Sequence, residues 1–193
     1  EDGRWTLESN AGFTGRSIKW LKSFLASDEE YDALNSDAGL VVPGSNGLLT
    51  YLGAHVFDSG SPYWEHDRLG NRNVPPTITG KSGFSRGELA RSIIESNCYA
   101  VRANLEQLAE VSGSKFTCLK FCGGNSMSAL WVQTQADVLG VPVITPEASE
   151  GTAVGAAALA SVGSGFYKDM GQAINAMVRL MKPVSPDEER STS

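Results

Sequence analysis

Apolar residues fall at two spacings along this chain, one helical and one extended, and the switches between them outline its elements. Ile18, Leu21 and Leu25 recur on one face and predict a helix over 14–25. A second helix is expected to open at Ser27, where the run SDEE has the form of a capping box. The stretch 40–51 is broken by Pro43, Gly44 and Gly47, then turns apolar at Leu48, Leu49 and Leu52, which reads as a strand. Residues 57–74 are rich in Gly, Pro, Asn and Asp and predict an ordered surface loop, packed down by Tyr63 and Trp64. A short strand is expected at 77–80. The strongest helical pattern covers 85–111: Ser85 and Glu88 form a capping box, Leu89, Ile93, Val101, Leu105 and Leu108 line one face, and Gly113 stops it.

The second half alternates strand and helix. Residues 116–122 predict a buried strand that runs into Gly123 and Gly124, and a helix capped by Asn125 or Ser126 follows directly, with Leu130, Trp131 and Val138 inward and Gly140 as its stop. A strand is expected over 141–145, a helix of small residues over 152–162, and a last helix over 169–181 with Met170, Ile174, Met177 and Met181 inward. Pro183 ends it, and 184–193 reads as a frayed tail. This alternation gives an α/β class. Ligands on such sheets bind beyond the carboxyl ends of strands, and the paired glycines lie at one such end. There, bare backbone and unpaired helix N–H groups can meet an anion.

Composition narrows the function. The 193 residues are 41% hydrophobic and 20% charged, enough for one domain with its own core. The net charge of −6 argues against nucleic acid as a partner, which wants a basic face. Local cations and backbone dipoles can still hold a nucleotide. Cys98, Cys118 and Cys122 lie in apolar segments without a CxxC pair and read as buried thiols in a reducing compartment. With His55 and His66 they do not make a zinc site. No apolar run approaches the ~20 residues of a membrane span and no signal peptide is visible, so a cytoplasmic protein is expected. The opening EDGRWTLE lacks an initiator Met, and a fragment of a longer chain is expected.

Candidate chemistry centres on Gly123, Gly124 and Asn125, with the hydroxyls of Ser126 and Ser128 beside them. Gly12 and Gly15 open the first helix, and Lys19 stands one turn on, placed to reach the same ligand or to lie on a solvated face. Glu150, near a helix start, reads as a dipole-stabilising carboxylate. Asp58, Glu65, Asp67 and Asp137 are candidate acids, and Asp137 reads as structural. The dinucleotide fingerprint, the phosphate loop GxxxxGK[ST], the GxSxG elbow and a paired-carboxylate signature are absent from the sequence. The pattern is a ligand cradle without catalytic groups.

Four segments, in order and from about Trp5 to Pro183, resemble the C-terminal domain of the FGGY carbohydrate kinases, the group of glycerol kinase, xylulokinase and autoinducer-2 kinase. LESNAGFTGRSIKWL is similar to LEG-x-x-x-x-x-G-x-x-x-Q-W-L, and GSPYWEHDRLG to APYWDPDARG. ITGKSGFSRGELARSIIES is similar to the second family signature. FCGGNSMSALWVQTQADVLGVPV followed by EGTAVGAAALASVG resembles GGGA-x-S-x-x-W-x-Q-x-x-AD-x-x-G-x-PV and E-x-x-A-x-GAA. The resemblance implies an actin-like ATPase domain over 1–183, with a ribonuclease-H-like core and a mixed sheet flanked by helices. It implies ATP or ADP with Mg2+ as cofactors and a sugar or polyol as acceptor. By position, Gly15 and Gly124 match backbone contacts to the nucleotide. Ser128 matches a polar side chain near the adenine, and Asn125 sits beside it. Lys19 stands where glycerol kinases carry Gln, Pro76 and Lys81 depart from the second signature, and Asn125 replaces Gly or Ala, as in a divergent branch. The family's general base and most sugar contacts belong to an N-terminal domain, so this chain alone is expected to be inactive. The alternative is a non-catalytic actin-like nucleotide-binding or assembly module. Self-association through an apolar interdomain face is left open.

Overall fold

The computed structural model describes residues 6–9, 11, 14–25, 31–51 and 77–188. The expected loop over 57–74, the cap at Ser27, Gly12, His55, His66, Asp58, Glu65 and Asp67 lie outside the described residues. The chain divides into two compact units: Glu1–Phe116 with Glu188–Ser193, and Thr117–Asp187.

The first unit holds α1 (Thr14–Phe24), α2 (Tyr31–Gly39), β1 (Leu49–Tyr51), β2 (Thr77–Thr79) and α3 (Arg86–Ser112). Helix α3 begins where local chemistry dictates. The Glu88 N–H donates to Ser85 Oγ at 3.1 Å, and the Ser85 N–H donates to Glu88 Oε2 at 2.7 Å, so the capping box is complete. Gly113, in the left-handed region at φ 64°, ends it. Leu89, Ile93, Ile94 and Cys98 are buried, whereas Leu105 and Leu108, expected inward, are half-buried. The N-terminal half of α3 therefore carries this core.

Helix α2 packs on α3 through Leu34 and Ala38. Their backbones run so close that a Cβ on Gly87 would lie 2.7 Å from the Asp37 carbonyl oxygen. Arg86 Nε also donates to Asp37 Oδ2 at 2.6 Å. Helix α1 is tied in by Asn97 Nδ2, which donates to Ser17 Oγ at 2.9 Å. Between α2 and β1 the chain makes a left-handed turn over Gly44, Ser45, Asn46 and Gly47, with φ of 80°, 50°, 52° and 83°. Strands β1 and β2 pair antiparallel, with Thr50 opposite Ile78.

The second unit holds β3 (Leu119–Lys120), α4 (Ala129–Leu139), β4 (Val143–Ile144), α5 (Gly151–Gly163) and α6 (Met170–Met177). Strands β3 and β4 are parallel, with Leu119 opposite Val143. The core joins Val132 and Ala136 of α4 to Val143, with Leu119, Phe121 and Val184 packed against it.

Four expectations change here. The strand expected over 116–122 is two residues long, and Phe116, Cys118 and Cys122 are exposed. The cause is the extended period of two: Leu119 and Phe121 turn to the core while Cys118, Lys120 and Cys122 turn away. Of the three cysteines expected to be buried, Cys98 alone is. The helix expected over 169–181 stops at Met177, because the following residues pair with the edge of β4. The Met181 N–H donates to the Thr145 carbonyl at 2.8 Å, and Val143 and Val184 exchange bonds of 2.9 and 2.8 Å. Ile174 and Met181 are exposed, and Ala173 is the buried residue of α6. The stretch assigned to a frayed tail is held as far as Asp187, whose N–H donates to Asp137 Oδ1 at 2.8 Å.

The fold is α/β. Parallel β3–β4 and the antiparallel segment beside β4 make the second unit's pairing mixed.

Candidate functional site: a glycine turn after β3

Pairing with β4 continues past β3 to Phe121, whose N–H donates to the Ile144 carbonyl at 2.8 Å. Two residues on, Gly123 adopts φ 96° and ψ −178°, a conformation essentially closed to residues with a side chain. Gly124 to Met127 then form one 3-10 turn. The α-helix does not open directly after the glycines, as expected, but at Ala129. Neither Asn125 nor Ser126 caps it. The cap is Ser128, whose Oγ accepts the Trp131 N–H at 3.4 Å. Asn125 and Ser126 are spent inside the 3-10 turn, so the donors nearest the paired glycines belong to that turn and not to a long helix.

Gly123, Gly124, Asn125 and Ser128 thus share one short turn at the carboxyl end of a parallel strand. Gly124 is exposed, and a Cβ built on it meets nothing within 4 Å. Its glycine is not required by packing, and its backbone is open to a ligand. The bond that Ser128 accepts is long, and its hydroxyl proton remains available to an acceptor. The residues of the turn carry N–H, amide and hydroxyl groups and no acid or base. Such a turn can hold a polar or anionic group; it cannot transfer protons.

Gly15 and Lys19 lie on α1 in the first unit, one helical turn apart and both exposed, with open space where a Cβ on Gly15 would stand. Asp137 is structural, as expected: its Oδ1 accepts Gln133 Nε2 at 2.7 Å and the Asp187 N–H. Glu150 precedes α5 and makes no side-chain capping bond. The residue that sequence reasoning underrated is Ser126, buried and bonded through its hydroxyl to the Gly123 carbonyl at 2.7 Å. The available signal was a hydroxyl residue three positions after a glycine, the spacing of a local side-chain turn.

Among the described residues no three His, Cys, Asp or Glu side chains gather as metal ligands. None of their helices is long and apolar enough to cross a membrane.

Comparison with known proteins gives this geometry its context. A glycerol kinase of Pseudothermotoga lettingae is 36% identical, over 97% of this chain and 36% of its own length. An autoinducer-2 kinase of an Enterobacter species is 30% identical, over 97% of this chain and 36% of its own length. The structure of a xylulose kinase from Rhodospirillum rubrum matches 91% of this chain and 34% of its own with a TM-score of 0.67 at 25% identity. Plasmodium falciparum glycerol kinase, determined with ADP, shares the fold over 93% of this chain and 34% of its own, with a TM-score of 0.69 at 15% identity. The chain spans about a third of the length of the curated relatives it matches. The model of the FGGY family of carbohydrate kinases, C-terminal domain, matches residues 1–164, and the chain belongs to that family.

Proposed function

We propose that this chain is the nucleotide-holding part of an ATP-dependent sugar or polyol kinase. The observation that carries the proposal is the open backbone of Gly124 at the end of β3; by resemblance, this position matches a backbone contact of the family to its nucleotide. In this reading the amides of the glycine turn meet the phosphate or ribose end of ATP or ADP. Asn125 and Ser128 add polar contacts from the same turn. A cavity of about 210 Å3, lined by Phe121, Cys122, Gly151 and Val154 among others, lies next to the turn in sequence and gives a flat ring a place to go. Phosphoryl transfer needs positioning and charge stabilisation more than covalent chemistry, and holding the nucleotide is a full share of that work.

The general base and the sugar contacts come, in this proposal, from the part of the relatives' length that this chain does not match. The described residues offer Mg2+ no cluster of ligands of their own. The finer architecture, an actin-like ATPase domain with a ribonuclease-H-like core, belongs to the same proposal and is supported by the likeness to kinase structures. The free cysteines Cys118 and Cys122 suit a reducing, cytoplasmic setting. Membership of a carbohydrate kinase family favours this reading over a non-catalytic assembly module.

Calorimetry with ADP tests the site. The parent chain is expected to bind, and Gly124→Val, whose Cβ would meet nothing within 4 Å, is expected not to. Equal binding by both overturns the site. The division of labour predicts no sugar-dependent ADP production by this chain alone, and turnover by the purified chain would refute it.

A further inference from the structure

We infer that Ser126 is a positioning residue of the nucleotide turn: its hydroxyl holds the Gly123 carbonyl so that the Gly124 N–H faces the ligand. The inference rests on the reading of that turn as the nucleotide site.

Ser126 is 7% exposed. Its Oγ–H donates to the Gly123 carbonyl oxygen at 2.7 Å, and its own N–H donates to the same oxygen at 3.0 Å. The described peptide bonds are all trans. In a trans peptide the N–H points opposite to the C=O. Drawing the Gly123 carbonyl toward buried Ser126 therefore turns the Gly124 N–H outward, at a residue that is exposed.

This peptide needs such a hold because it joins two glycines. Neither has a side chain to resist rotation about the bonds on either side. Nothing lies within 4 Å of where either Cβ would stand. A flip of this peptide would present an oxygen to the ligand in place of an N–H. The Ser126 N–H alone leaves one restraint against that flip, and the hydroxyl adds a second, shorter one. Ser126 does not touch the nucleotide in this account; it acts through Gly123.

The test uses the whole 193-residue chain and ADP as the probe. Calorimetry measures affinity for the parent, Ser126→Ala, Ser126→Thr and Gly124→Val, and the Gly124 amide resonance is followed by NMR without ligand. Loss of one hydrogen bond's contribution predicts that Ser126→Ala weakens ADP binding about fivefold or more. Ser126→Thr, which keeps the hydroxyl, is expected to bind like the parent. The Gly124 amide is expected to shift or broaden in Ser126→Ala and not in Ser126→Thr, while the amides of α4 stay in place. A merely structural role would not move that one amide selectively. Unchanged binding and an unchanged Gly124 amide in Ser126→Ala overturn the inference. So does equal weakening by Ala and Thr. If Gly124→Val abolishes binding while Ser126→Ala does not weaken it, the site stands and the role of Ser126 falls. A parent chain that binds no ADP sinks both.

Discussion

The carboxylate of Glu95 accepts the hydroxyl of Ser45 at 2.8 Å, a buried bond between residues 50 positions apart. The same carboxylate accepts Arg91 Nε at 2.8 Å and the Gly44 N–H at 3.0 Å. Helix α3 thereby grips a turn in which Ser45 and Asn46 hold left-handed conformations that side chains disfavour. Removing one partner of a buried pair leaves the other charge uncompensated. Glu95→Ala is expected to cost about 3–5 kcal/mol by urea unfolding. Replacing Arg91 and Glu95 together with leucine should cost less than Glu95→Ala, because no lone charge remains. A double variant less stable than Glu95→Ala would show that the pair is not the source of the loss.

The same turn is closed from its other side by Gly80. Gly80 has φ 100°, and a Cβ there would overlap the Gly47 carbonyl oxygen. Backbone meets backbone at this point, so no flexible side chain can give way. Gly80→Ala is expected to lose at least the roughly 1–3 kcal/mol of a strained φ. Gly83→Ala, with open space and no positive φ, is expected to leave the melting temperature almost unchanged. Equal effects at the two positions would contradict the close approach.

Glu88 links the capping box to pH. The Lys81 ammonium, 2.8 Å from Oε1, the Ser85 N–H and the Asn46 amide hold its pKa down to about 2 from an ordinary 4.5. A carboxylate whose pKa falls on folding contributes stability above its unfolded pKa and loses it as pH drops through the folded one. The contribution is therefore present above about pH 4.5 and fades toward pH 2. Parent melting temperatures are expected to fall across that window, and those of Glu88→Gln to fall less steeply. Parallel curves would remove Glu88 from the acid response.

What could be read in advance was local. Ser85 and Glu88 form their box within one helical turn, and Gly113 and Gly140 stop helices by their own backbone freedom, so a short window suffices. The glycine turn was legible for the same reason. The errors came where a distant partner decides. Met181 fits a helical pattern, but pairing with Thr145 draws it into extended backbone. Glu95 reads as one more charge on α3, and only Ser45 and Arg91 explain its burial. Ser128 became the cap because a 3-10 turn consumed the residues before it, a choice that propensity does not distinguish. Gly15 and Lys19 lie on α1 as expected, but no local pattern relates them to the turn after β3.

Gly123 and Gly124 make different demands on their residue, and alanine separates them. At Gly123 the backbone angles themselves require glycine, so a methyl group strains the turn before any ligand arrives. Gly123→Ala is expected to lower both stability, by about 1–3 kcal/mol, and ADP affinity. Gly124 has no positive φ and empty space around a Cβ. Gly124→Ala is expected to melt within a few degrees of the parent, as an unstrained exposed substitution does, and to bind ADP more weakly because the methyl group stands where the nucleotide approaches. Thermal melts and ADP titrations on the two variants give four numbers. If Gly124→Ala loses stability as Gly123→Ala does, the open space at Gly124 is not real. If it keeps both stability and affinity, its backbone is not the surface that the nucleotide touches.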